Sequence, residues 1–160
     1  MEQGMTQNDS KGPCVKVPPP LIFILSMAAA FGLEQLYPMA QAAHPLGQLM
    51  GGVLLLVSCL VLVHLLVIFR RQQTAIEPWK PTSSIITSGY YGYSRNPIYV
   101  AFCGFPIGLG LLLASPWLLL STLPACLGVY WLAIRREEAY LLAKFPKEYG
   151  AYLSSVRRWL

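Results

Sequence analysis

Residues Leu46–Phe69 read LGQLMGGVLLLVSCLVLVHLLVIF, and Arg70-Arg71 follow at once. No acidic or basic side chain interrupts the run, and His64 is its single ionisable group. At the helical rise per residue the run crosses a hydrocarbon layer of roughly 30 Å with some tilt. No water is present there to satisfy backbone N–H and C=O groups, so a spanning segment of this kind must be helical. The stretch decides the fold class: an all-α integral membrane protein. An ionisable residue inside a span is by default a functional candidate, but His64 lies near the basic end, where it can equally bond a carbonyl or interfacial water.

Working outward, Pro38–Pro45 reads as a short turn and Leu21–Tyr37 as another span, near the lower length limit. Pro18-Pro19-Pro20 lead into that helix, where missing N–H groups do no harm. Met1–Val17 lacks the apolar content to pack and is expected to be a disordered tail. It carries no signal-peptide pattern, so the first apolar helix is expected in the mature protein. On the other side, Pro97 opens a third span reaching about Leu113, with Gly104, Gly108 and Gly110 as a small face suited to close packing. Ala114-Ser115-Pro116 is a tight turn, and Pro116–Ile134 is the fourth span, running into Arg135-Arg136-Glu137-Glu138. Beyond it Tyr149, Tyr152, Leu153 and Val156 recur at helical spacing, and Pro146 divides this tail into two short interfacial helices. Residues 18–160 thus read as one membrane domain of four transmembrane helices, with spans at about 21–37, 46–69, 97–113 and 116–134.

Composition agrees. Of the 160 residues 55% are hydrophobic and 12% charged, too apolar for an ordinary soluble domain. The net charge of +5 suits a membrane surface better than nucleic acid, because basic residues sit at the ends of apolar spans. All twelve Lys and Arg fall in residues 1–17, 70–96 and 135–160, which four crossings place on one side; the two opposite turns hold none. The positive-inside rule then puts both termini and the 70–96 loop in the cytoplasm. Cys14, Cys59, Cys103 and Cys126 form no CxxC pattern, and His44 and His64 are the only histidines, so no metal site is expected.

The polar segment Thr82–Tyr99, TSSIITSGYYGYSRNPIY, lies between the second and third spans on the basic side, together with the Arg-Glu-Glu cluster. Two readings stay open on composition. The loop could hold a polar cytosolic cofactor above a floor of apolar helices, with a lipid-like partner arriving sideways from the bilayer. Or it could be a surface anchor in which Tyr90, Tyr91, Tyr93 and Tyr99 form an aromatic belt.

Glu77-Pro78-Trp79-Lys80-Pro81-Thr82, Thr87-Ser88-Gly89-Tyr90-Tyr91 and Ser94-Arg95-Asn96-Pro97-Ile98-Tyr99 resemble the core motif of a membrane methyltransferase superfamily. That superfamily includes isoprenylcysteine carboxyl methyltransferases and phospholipid (phosphatidylethanolamine) N-methyltransferases. Arg135-Arg136-Glu137-Glu138 followed by Lys144-Phe145-Pro146-Lys147-Glu148-Tyr149 resembles its second motif. The resemblance implies S-adenosyl-L-methionine as methyl donor. By position it assigns cofactor contact to Ser83, Ser84, Ile85, Ile86, Tyr91, Asn96, Pro97, Ile98, Tyr99 and Glu137, the first four as a strand-like stretch. Aromatic faces favour a sulfonium, and a carboxylate bonds ribose hydroxyls or an ammonium.

Displacement at a methyl group needs alignment and water exclusion above all. A carboxylate acceptor is already ionised and needs an arginine to hold it, Arg95 or Arg135. An amine acceptor needs a base, and Glu138 is the candidate. The resemblance is to the isoprenylcysteine carboxyl branch first, with a prenylated or lipid-like acceptor, and to the phospholipid branch as the alternative. Where the carboxyl branch commonly has Arg-His-Pro this chain has Arg95-Asn96-Pro97, and Asn does not titrate. Pro146 stands where a glycine is usual, and the eukaryotic prenylcysteine enzymes have more spans. The reading outside the enzyme class is a non-catalytic membrane transporter or structural protein. The near absence of charge within the spans argues against transport.

Overall fold

A computed structural model describes residues 12–73 and 80–160, so Glu77-Pro78-Trp79 of the first motif and the first eleven residues lie outside the described part. The chain is helical: α1 Pro19–Leu36, α2 Pro45–Arg71, α3 Pro97–Leu112, α4 Pro116–Leu120, α5 Thr122–Val129, α6 Arg135–Lys144 and α7 Pro146–Ser155. A 3-10 turn covers Gly89–Gly92 and a π turn Tyr130–Ile134. Proline sits in the first turn of α1, α2, α3, α4 and α7, where its fixed φ starts a helix and its missing N–H has no partner to lose. At the start of α2 the His44 ring Nδ1 accepts the Leu46 N–H at 3.2 Å. Among the described residues there is no strand, so Ser83–Ile86 is irregular backbone rather than the strand-like stretch expected.

Three helices are long and apolar enough to cross a membrane: Pro19–Leu36, Pro45–Arg71 and the continuous helix Pro116–Lys144. The apolar helix Pro97–Leu112 is shorter. α2 turns Leu49, Leu56, Leu60 and Val63 outward, each more than half exposed, a surface that lipid tails rather than water must cover.

α2 and α3 lie against each other through their small residues. A Cβ on Gly51 would come within 2.5 Å of the Gly108 carbonyl oxygen and 2.7 Å of the Leu112 nitrogen, and one on Gly104 would collide with the Ser58 hydroxyl. Gly104 and Gly108 of the small-residue face read from the sequence are used here within one chain, while Gly110 meets Leu119 of α4 instead. A second core joins Ile22 and Phe23 of α1, Tyr99 of α3, Ala125 and Val129 of α5, and Ala133 and Ile134 of the π turn. Val15 belongs to this core and Val17 packs on it, so residues 12–17 of the expected disordered tail lie against the bundle. Their apolar side chains give them something to bury. Cys103 and Cys126 bring their sulfurs to 3.4 Å of each other between α3 and α5.

The two uncharged turns meet at one end. The Gln41 N–H donates to Ala114 O at 3.2 Å, and Trp117 Nε1 donates to Tyr37 O at 2.8 Å. The Glu34 carboxylate accepts the Met39 and Ala40 N–H groups and the Ser115 hydroxyl, so it knots both turns together. The basic segments consequently share the opposite end.

Candidate active site at the basic end

A cavity of about 130 Å³ opens at that end. Loop 82–96 forms one wall, with Ser84, Ile85, Ile86 and Tyr91. The first turn of α3 adds Ile98 and Tyr99, α6 adds Glu137, Glu138 and Leu141, and α7 adds Tyr149 and Tyr152. Ten residues singled out in the sequence therefore meet around one space: Ser84, Ile85, Ile86, Tyr91, Arg95, Asn96, Ile98, Tyr99, Glu137 and Glu138.

Three others stand outside it. Pro97 is buried in the first turn of α3, and the Ser83 hydroxyl donates to Gln73 O at 3.2 Å. Arg135 is exposed and lies 4.5 Å from the Trp131 ring centroid, a cation–π pair on the outside of the helix. One turn of helix decides this. Residues 135 and 137 lie roughly 200° apart around the axis, so when Glu137 faces the cavity Arg135 faces away. The π turn just before them widens the helix by one residue, which rotates everything beyond it by roughly 100° relative to an unbroken α-helix.

Each acidic group has a partner. Glu137 Oε1 accepts the Tyr99 hydroxyl at 2.5 Å. Glu138 is gripped by Arg158 as a fork, Nε to Oε1 at 3.0 Å and Nη2 to Oε2 at 2.9 Å, and Arg95 Nη1 stands 3.4 Å from the same Oε1. Arg95 is 11% exposed, and its Nε is buried with no hydrogen-bond partner. Asn96 is buried and donates through Nδ2 to Arg158 O at 2.9 Å, so its amide fastens the loop to the segment after α7.

The tyrosines of the loop divide. Tyr91 lines the cavity and packs edge-on against Phe69 of α2 at 6.1 Å. Tyr90 meets His64, with Nδ1 and the hydroxyl 3.1 Å apart. Tyr93 is 81% exposed and fits the aromatic-belt reading alone. Burial pushes the Tyr91 phenol well above its ordinary pKa, with the Glu137 charge adding to it. Tyr149 is raised in the same way, and Tyr152 is pushed by burial up to about 12 while Arg95 pulls it down. These phenols are therefore neutral donors. Tyr152 uses its hydroxyl on Tyr91 O at 2.6 Å, which ties α7 to the loop.

Sequence reasoning missed Phe69, Leu141, Tyr149, Tyr152 and Arg158. Tyr149 and Tyr152 were legible as one stripe, but the stripe alone does not say whether it faces lipid or a cavity. Nothing local marks Arg158.

The donor set suits S-adenosyl-L-methionine. It offers the half-buried carboxylate of Glu137, the half-buried guanidinium of Arg95, aromatic faces at Tyr91 and Tyr99, and apolar walls at Ile85, Ile86, Ile98 and Leu141. Among the described residues no cluster of three or more His, Cys, Asp or Glu could hold a metal.

Protein-S-isoprenylcysteine O-methyltransferase of Saccharomyces cerevisiae (strain ATCC 204508 / S288c) is 35% identical to the chain over 72 residues. That match covers 45% of the chain and 30% of the yeast protein, so the chain corresponds to under a third of its relative. The profile of the phospholipid methyltransferase family matches residues 46–148, from the start of α2 into α7 and across both walls of the cavity. The chain belongs to the phospholipid methyltransferase family.

Proposed function

We propose that this protein is an S-adenosyl-L-methionine-dependent methyltransferase of the membrane that methylates the carboxylate of an isoprenylcysteine-like amphiphile. The observation that carries the reading is the state of the charged groups around the cavity. Glu138, the carboxylate placed to act as a base for an amine, is gripped at both oxygens by Arg158 and is not free for that role. Arg95 reaches Glu138 at one oxygen alone, at 3.4 Å, and is the less tightly held of the two arginines beside it. A carboxylate acceptor needs no base and does need a cation to hold it, and the cavity offers that combination.

When bound, S-adenosyl-L-methionine supplies an electrophilic methyl group on its sulfonium sulfur. Glu137 holds hydroxyl or ammonium groups of the donor, oriented by the Tyr99 hydroxyl. Tyr91 would offer an aromatic face to the positive charge, and Ile85, Ile86 and Ile98 would supply apolar walls for the adenine. Arg95 would hold the acceptor carboxylate, and the apolar walls would keep water from competing. Arg135, on the outside of the helix, serves the membrane surface instead.

Four crossings fit this reading. α3 is about 24 Å long at 1.5 Å per residue, and its ends lie at the two ends of the bundle: Asn96 by the cavity, and Ala114 bonded to the turn before α2. A few ångströms of mismatch cost little. The positive-inside rule then sets both termini and the 70–96 loop in the cytoplasm. A phospholipid amine is the second reading, favoured by the family that residues 46–148 match.

Purified protein in lipid nanodiscs should bind S-adenosyl-L-methionine and its demethylated product saturably by calorimetry. It should transfer label from the donor to N-acetyl-S-farnesylcysteine as a base-labile methyl ester. Transfer to phosphatidylethanolamine instead would establish the second reading, and binding of neither nucleoside would end both.

A further inference from the structure

Glu138 lies between two arginines that hold it unequally. Arg158 uses both of its oxygens, at 3.0 and 2.9 Å, the bidentate geometry in which a guanidinium binds a carboxylate most strongly. Arg95 reaches only Oε1, at 3.4 Å, and its Nε remains without a partner although buried. The segment that carries Arg158 also fastens the backbone around Arg95. Arg157 O accepts the Arg95 N–H at 2.9 Å, and Arg158 O accepts Asn96 Nδ2 at 2.9 Å and the Ser94 hydroxyl at 3.4 Å. The Arg158 guanidinium is itself seated 5.2 Å over the Tyr130 ring.

Without that fork, Arg95 is the cation that remains beside Glu138 among the described residues. Its two oxygens would turn to Arg95, and the buried guanidinium would be filled by the protein's own carboxylate. We propose that Arg158 is a positioning residue that holds Glu138 off Arg95, so that Arg95 stays open to an anionic group of the acceptor. The inference rests on the reading of the cavity as a carboxyl methyltransferase site and adds to it what keeps that site selective for a carboxylate. A neutral acceptor head would gain nothing from an open Arg95, and an acceptor carrying a carboxylate gains a charge-assisted bond.

The test compares equilibrium binding of N-acetyl-S-farnesylcysteine and of its neutral methyl ester to nanodisc-held protein saturated with S-adenosylhomocysteine. Wild type should prefer the carboxylate by about 10- to 100-fold, the range for a hydrogen bond to a charged group. Arg158→Ala should lose most of that preference while nucleoside affinity changes less than about threefold. Arg158→Lys, which keeps the charge without the fork, should fall between, and it carries the test where the alanine variant does not fold. The decisive variant is the double Arg158→Ala/Glu138→Gln. Removing the competing charge should return the carboxylate preference, which repair of a merely structural defect would not do.

A preference unchanged in Arg158→Ala or Arg158→Lys, or a double variant no better than the single, overturns the proposal. Wild type that methylates the prenylcysteine yet binds acid and ester alike also overturns it, with the proposed function intact. Protein that binds no nucleoside and methylates nothing sinks the proposed function, and this inference with it.

Discussion

Tyr99→Phe isolates one atom of the site. The ring is 7% exposed and belongs to the core formed with Phe23, Val129 and Ile134, so phenylalanine keeps that packing. What is lost is the hydroxyl that donates to Glu137 Oε1 at 2.5 Å. Hydrogen bonds to a charged group are worth about 1.5–3 kcal/mol, and that energy is available to Glu137 only while its carboxylate faces the cavity. If Glu137 binds the methyl donor in this orientation, the variant should weaken donor binding by about 10- to 150-fold. The fold should melt within a few degrees of wild type, because no volume is removed. Calorimetric titration with S-adenosylhomocysteine measures the first quantity, and thermal unfolding followed by circular dichroism measures the second. Wild-type nucleoside affinity in a folded Tyr99→Phe protein would refute the idea that Tyr99 orients a cofactor-binding Glu137. A large melting loss with no affinity loss would make the pair a structural contact.

Gly51→Val should separate α2 from α3, since even its Cβ would lie 2.5 Å from a backbone oxygen; a loss of about 1–3 kcal/mol should appear as earlier unfolding in detergent titrations. Tyr152 should make the fold alkali-sensitive. Its pKa is raised on folding from near 10 to about 12, so its contribution is complete below about pH 10 and is lost as pH rises towards 12. Tyr152→Phe should therefore lower stability at pH 8 by about 1 kcal/mol, through the lost bond to Tyr91 O, yet shrink the further drop between pH 10 and 12 in pH-dependent melts. Lys147, exposed on α7, should react with a membrane-impermeant amine reagent only after intact cells are permeabilised; equal labelling without permeabilisation would invert the proposed orientation.

Much of the architecture was open to a reader of the sequence because its causes are local. Twenty-four residues without an acidic or basic side chain can only cross a bilayer as a helix, and α2 covers that run and the two arginines after it. Proline fixed where α1, α2, α3 and α7 begin, and Pro146 divides α6 from α7 as expected. The limits of such reasoning show at Pro116–Ile134. An apolar run says helix, but not that the helix passes through a π turn and continues unbroken to Lys144.

The site was legible as a set of segments and not as an arrangement. The two motifs named Arg95, Glu137 and Glu138, which line one cavity, and also Arg135, which the helix turns outward. Arg158 was legible only as one more basic residue near a membrane surface, because its role depends on Glu138, twenty positions away in sequence and 2.9 Å away in space.

By itself, then, the sequence determined which segments are helical, which end of the bundle is basic and which superfamily the motifs resemble. Each of those follows from composition or spacing within a single segment. Tertiary structure alone decided which side chains face the cavity and which carboxylate is already held by an arginine fork. Those outcomes depend on the rotation of each helix about its axis and on contacts between segments far apart in the chain, and no local pattern encodes either.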